Sequence, residues 1–166
     1  MHRRNKKLDR KSKIAYGCKL EGLYRMYSIK DYVKKQVGEE HNLIMDACLN
    51  QVGKGFIGYS VFSDYGFQYL AIGDDNTPPG SADDTLGNEL FRTPFVTTAN
   101  PSEKIVTADF YITDTDFSGD IEEMGLFGGG DATSSADSGN LISSVLWSYT
   151  KSSSEELVIE YELTIS

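Results

Sequence analysis

The sequence predicts an all-β fold: an antiparallel β-sandwich of about seven strands with one short helix and a basic N-terminal arm. Three observations lead there. Apolar and polar residues alternate with a period of two along several stretches, most cleanly at the end, where Leu157, Ile159, Tyr161, Leu163 and Ile165 share one face. Turn-forming residues separate these stretches at short intervals. The composition joins 16 Gly and 10 Tyr to only 4 Pro, which suits turns and aromatic-rich strands. Only one segment has helical spacing, so strands do not alternate with helices as a parallel α/β sheet requires. At 166 residues the chain has the size of one domain, read as an arm over 1–13 and a single sandwich domain over 14–166.

Residues 1–13 have no periodicity and read as extended. Over 14–29, Tyr16, Cys18 and Leu20 alternate with Gly17, Lys19 and Glu21, the pattern of a half-buried strand, with Gly22 as a bulge within it. Residues 30–40 are polar and read as loop. Asn42 reads as a helix N-cap, because its side-chain oxygen can accept from an early helical amide. Leu43, Ile44, Ala47, Cys48 and Val52 then fall at helical spacing, and Gly53 reads as the stop, placing the short helix near 42–53. Its single apolar stripe covers one end or face of a sheet.

The remaining strands are expected at 67–72, 91–97, 105–112, 121–127, 141–149 and 157–165. In the third of these expected strands Val106, Ala108, Phe110 and Ile112 line one face. A long loop at 75–88 carries Pro78-Pro79-Gly80 and Asp83-Asp84, with Leu86 as its anchor to the core. Glu89 and Arg92 are expected to pair across a turn. A Gly/Ser/Asp-rich loop spans 128–140.

Charge divides the chain unevenly. Lys and Arg total 16 against 25 Asp and Glu, a net −9, which argues against a general nucleic-acid coat. Yet residues 1–35 hold 12 basic and 3 acidic residues, a net +9, leaving 4 basic and 22 acidic residues, −18, for the rest. Within the arm, Arg3, Arg4, Lys6, Lys7, Arg10, Lys11 and Lys13 face one acid, Asp9. These seven cations are the expected partner-binding residues, lying on an acidic surface of this body or of a neighbouring copy. A solvated tail and an arm that touches nucleic acid are the alternatives. No apolar run approaches the length of a membrane-spanning helix, and no apolar segment follows the basic start as in a secretory signal. Cys18 and Cys48 are the only cysteines and read as two buried thiols made in a reducing compartment.

Enzymatic chemistry is not expected. His2 and His41 are the only histidines, and neither sits beside a nucleophile in a recognisable arrangement. Two Cys and two His, widely separated, do not supply a zinc site. Gly53-Lys54-Gly55-Phe56-Ile57-Gly58 matches the spacing of a dinucleotide fingerprint, but it follows a helix instead of opening one. One motif points to a ligand. Asp114, Asp116, Ser118, Asp120 and Glu122 place oxygen donors in the order of the front half of a calcium loop, with Gly119 at the sixth position. The twelfth position is Gly125 where such a loop carries a bidentate Glu, and an Asp/Gly-rich hairpin turn uses the same residues. The body is expected to fold without a cofactor, calcium at these acids being the one alternative.

Several short motifs occur in a telling order: Asn42-Leu43-Ile44-Met45-Asp46-Ala47, Tyr69-Leu70-Ala71-Ile72-Gly73-Asp74, Thr77-Pro78, Asp84-Thr85-Leu86-Gly87-Asn88-Glu89, and Ile121-Glu122-Glu123-Met124-Gly125-Leu126-Phe127 before the closing strand. In this the chain, over 42–166, resembles small β-sandwich virion proteins of tailed bacteriophages, of tail, collar, fibre-like or head-decoration type. The resemblance implies a non-enzymatic structural role in a virion; such a protein is expected to be made in the host cytoplasm and to bind other virion proteins and copies of itself, while the charge and the lack of a long apolar run argue against nucleic acid and membrane as partners. The alternative is a carbohydrate- or receptor-binding sandwich, calcium-assisted through the Asp114 turn, drawing on Trp147 and the tyrosines.

Overall fold

The computed structural model describes residues 19–56 and 66–166. The arm over 1–13, Cys18 and the start of the strand expected from residue 14 lie outside the described residues. Within them are nine strands and one helix: β1 (Leu20–Lys30), β2 (Val33–His41), β3 (Leu43–Ile44), α1 (Asp46–Phe56), β4 (Phe67–Gly73), β5 (Glu89–Ser102), β6 (Ile105–Ile112), β7 (Gly119–Gly128), β8 (Asn140–Lys151) and β9 (Glu156–Ile165). All neighbours pair antiparallel, in the order β2-β1-β9-β6-β5-β4-β7-β8-β3. The all-β antiparallel class is as expected; the strand count is nine, two above the seven expected.

Two strands turn corners and fold the sheet into two facing walls. β5 pairs with β4 through Glu89 to Pro94 and with β6 from Phe95 onward. Pro94 marks the handover, where a residue without an N–H costs the ladder least. The second corner is Asn42. β2 pairs with β1 up to His41, and Leu43 and Ile44 pair with Ser144 and Ser143 of β8. Asn42 N donates to Gly22 O at 3.3 Å. β2 and β3 are thus two halves of one bent strand, and they nearly close the sheet on itself. Closure removes most of the edge that an open sheet leaves unpaired.

The closed interior is filled by side chains. Tyr24, Met26, Phe110, Ile112, Met124, Leu126, Ile159 and Tyr161 are all fully buried in one cluster. Tyr24 and Tyr161 oppose each other across β1 and β9, with ring centroids 4.8 Å apart. The Tyr24 hydroxyl reaches across the barrel to Ser143 Oγ at 2.7 Å, which satisfies a polar group that burial would otherwise penalise. A smaller cluster of Met45, Ala71, Leu86, Phe127 and Leu141 also excludes water. Leu86 anchors its loop here, as the sequence suggested.

Three local expectations are corrected. Residues 33–41 form a strand, not a loop. Asp31 and Tyr32 both adopt left-handed backbone (φ 52° and 64°), the conformation of a tight type I′ hairpin turn. β2 is mostly exposed and polar, and it is tied to β1 by Arg25–Glu39 (2.8 Å) and, across β1, to β9 by Lys34–Glu160 (3.0 Å). The helix starts at Asp46 because Leu43 and Ile44 are used in β3, and Met45 N donates to Ile142 O (3.0 Å). Asn42 is therefore a strand corner, not an N-cap. The helix also continues through Gly53 to Phe56. Gly22 is not a bulge: its register with β9 is unbroken, and the irregularity in β1 lies between Met26 and Tyr27, where Val37 of β2 is the extra residue.

Gly22 has a different role. A Cβ there would overlap Asn42 Oδ1 and the Tyr161 hydroxyl, which sit against its backbone. Gly22→Ala is expected to lose about 1–3 kcal/mol by forcing the closing corner apart, measured as a lower urea midpoint with an unchanged slope.

Candidate functional site

The acids of the expected calcium loop are placed individually. Asp116 Oδ2 accepts from Thr113 N at 2.9 Å, and the Thr113 hydrogen bonds hold this carboxyl below its usual range. Asp120, on β7, accepts from Thr150 Oγ1 at 2.6 Å. Asp114 and Ser118 are exposed, and Glu122 points into a groove beside Trp147. Among the described residues no group of three or more His, Cys, Asp or Glu gathers around a point as a metal requires. The structure does not bring the five donors together, because Asp120 and Glu122 are fixed in a strand while Asp114 and Asp116 lie in the preceding turn.

A cation does stand at this turn, and it is a side chain. Lys151, at the end of β8, is 1% exposed. Its Nζ donates to Phe117 O at 2.8 Å and to Ser152 O at 3.3 Å. Burial lowers its pKa, opposed by the charges of Glu155, Asp114, Asp116 and Glu156. Next to it Glu155 is buried and accepts from the hydroxyls of Ser28 and Tyr149 and from Ser152 N. Burial would raise the pKa of Glu155, but these hydrogen bonds and Lys151 outweigh it and hold the carboxyl below its usual value.

Two more buried groups hold the long loops. Glu123 accepts from the amides of Gly87 (3.1 Å) and Asn88 (2.9 Å), closing the 74–88 loop onto β7. Within that loop Asp75 accepts from Thr77 N and Asp83 from Gly80 N, so each caps a local turn. Arg92 and Glu89 form a bidentate pair with contacts of 2.7 Å, the side chains each 2% exposed. They sit three residues apart along β5, not across a turn. Arg92 also donates to Thr133 O and Ser138 O, and Glu89 accepts from Asp137 N, which fastens the 129–139 loop. The Arg92 guanidinium lies 4.2 Å from the Phe127 ring centroid. Sequence reading missed Glu123, Lys151 and Glu155. One signal was present: only Lys54, Arg92, Lys104 and Lys151 are basic after residue 35, and two of those four are buried anchors.

Two of the concavities have mainly apolar walls. A groove of about 450 Å³ runs between β2 and β8, lined by Val37, Gly38, Glu40, Glu122, Trp147 and Tyr149. Trp147 is only 7% exposed, because its ring packs on Gly38, where a Cβ would come within 2.6 Å. The second is an apolar cavity of about 630 Å³ at one mouth of the barrel, lined by Cys48, Val52, Phe67, Val106, Ile142 and Leu163. Burial pushes the Cys48 thiol pKa up, away from nucleophilic use. His41 is exposed on β2, and His2 and the seven arm cations lie outside the described residues. No described helix is long and apolar enough to cross a membrane.

Lys151→Met keeps the stem and removes the ammonium, leaving the Phe117 carbonyl without its donor. A loss of about 1–3 kcal/mol is expected, and chelator should leave the unfolding midpoint of the unsubstituted protein unmoved. A chelator-induced fall would assign the Asp114–Glu122 acids to a bound cation. Glu155 gives a pH signature. A depressed carboxylate contributes stability above the ordinary glutamate pKa of about 4.3, and that stability is lost as pH falls through the lower folded value. Acid unfolding monitored by circular dichroism should therefore be steeper below about pH 4.3 in the native protein than in Glu155→Gln. No protein-family model, no curated protein and no solved structure matches this chain.

Proposed function

We propose that the chain is a non-enzymatic structural subunit of a tailed-phage virion that binds neighbouring virion proteins and copies of itself. The observation that carries the reading is the exposure of large apolar side chains on an otherwise charged surface. Tyr32 is fully exposed and Val33 65% exposed at the β1–β2 tip, and Val96 is 59% exposed on β5. Exposed apolar side chains of this kind are what a subunit contact covers. The basic arm supports the same reading, since its net +6 faces a remainder of −15. The buried charges Arg92, Glu89, Glu123, Glu155 and Lys151 each hold a turn or loop in place.

Mass spectrometry of purified particles should find the protein in many copies per genome. A chain lacking residues 2–13 should still unfold cooperatively but fail to enter the particle. Recovery of the protein only from the soluble lysate of infected cells would overturn the virion reading, and normal incorporation of the shortened chain would overturn the role of the arm.

A second reading, a carbohydrate- or receptor-binding module, is favoured by the groove between β2 and β8. It offers the rim of Trp147, the Tyr149 ring and the Glu40 and Glu122 carboxylates, a mixture suited to a sugar's apolar face and hydroxyls. Glycan-array binding abolished by Glu122→Gln would support it.

A further inference from the structure

Tyr32 is the most exposed large apolar side chain among the described residues, and its backbone does not suit it. At the β1–β2 turn Asp31 and Tyr32 have φ of 52° and 64°. Glycine and asparagine adopt this left-handed conformation readily, whereas a bulky residue there is an outlier. The exposed ring gains no burial from its own chain to offset that strain. Strained residues of this kind concentrate where a contact uses them. Val33 beside it is also exposed. Lys30, Lys34 and Lys35 flank the pair, with Asp31 as the one acid, so the tip over 30–35 carries a net +2. Three of the nine Lys and Arg of the described residues therefore fall in this one turn. Lys34 leans on Glu160, while Lys30 and Lys35 are in no ion pair among the described residues.

The groove between β2 and β8 has the complementary chemistry. Val37, Leu146, Trp147 and Tyr149 give it apolar walls, and Glu40 and Glu122 give it two carboxylates. Neither acid is in an ion pair among the described residues. Its volume of about 450 Å³ lies in the range of sites that enclose a small apolar group. The tip of the same chain does not reach it. Tyr32 and Gly38 lie six residues apart along a strand paired to β1, a span of about 20 Å.

We propose that the β1–β2 tip of one copy of this chain docks in the β2–β8 groove of a second copy, with Tyr32 against the apolar walls and Lys30 and Lys35 beside Glu40 and Glu122. The inference rests on the self-association proposed above and names the two surfaces that make it, assigning the groove to a second copy in place of a sugar. A buried tyrosine is a common anchor of such contacts. The exposed charges set partner and orientation more than affinity. Tip and groove are different surfaces, so every copy carries one of each.

Sedimentation velocity on the purified full chain tests it. Association should grow with concentration, and a chain that stays monomeric up to about 1 mM overturns the proposal. Tyr32→Gly removes the ring and gives the turn the Asp-Gly pair its dihedrals favour. Its unfolding midpoint should hold or rise while association weakens at least about tenfold. Glu40→Lys with Glu122→Lys should weaken association by a similar factor, and Glu40→Lys alone, at an exposed position, in the same direction. Mixed in equal amounts, the Tyr32→Gly chain and the double-lysine chain should form a heterodimer, because one keeps its groove and the other its tip. Either variant associating as strongly as the native chain overturns the proposal. So do two folded variants that stay apart when mixed. Because no particle is involved, failure here leaves incorporation into particles, the test of the virion reading, to be decided separately.

Discussion

A guanidinium removed from water must be neutralised where it lies, and the outer dressing of one wall follows from that requirement at Arg92. Its side chain is 2% exposed, as is that of Glu89. A buried pair of this kind gains only when its remaining donors and acceptors are also satisfied. Here they are, by Thr133 O, Ser138 O and the Asp137 amide. The Gly/Ser/Asp-rich loop over 129–139 has almost no apolar side chain with which to hold itself down. It is ordered by the hydrogen bonds that the buried pair demands, and Phe127 beneath the guanidinium completes the enclosure.

The same logic recurs on a smaller scale. Glu123 draws in the amides of Gly87 and Asn88, and Lys151 draws in the carbonyls of Phe117 and Ser152. In each case one buried charge organises a polar stretch that could not bury enough apolar surface to order itself.

The sheet solves its edge problem with two bent strands. Pro94 lets β5 leave one wall for the other, and Asn42 does the same between β2 and β3. Between the walls the space is filled by Tyr24, Tyr161, Phe110 and methionines, so the interior is core and not a ligand chamber. What the molecule offers to partners is therefore on its outside: the β1–β2 tip, the Trp147 groove and the barrel mouth. The first carries the proposed subunit contacts.

Strands with one buried face were legible from the sequence, because burial of one face writes a period of two into the residues. β6 and β9 match their expected bounds to within a residue, and Phe110, Ile112, Leu157, Ile159 and Tyr161 are buried as the alternation requires. The all-β class, the anchoring of Leu86 and the partnership of Glu89 with Arg92 were legible for similar local reasons. β2 was not, because only Val37 and Gly38 are partly covered, too few to write a period of two; pairing with β1 makes it a strand. The helix start was displaced because Leu43 and Ile44 are apolar in either role, and the sheet's need to close decided between them. The acids from Asp114 to Glu122 illustrate the deeper limit. Their spacing along the chain is a local fact, but whether five oxygens converge on an ion depends on where β7 begins and which way its residues face. That is set by register with β8, and it put Lys151 at the turn instead.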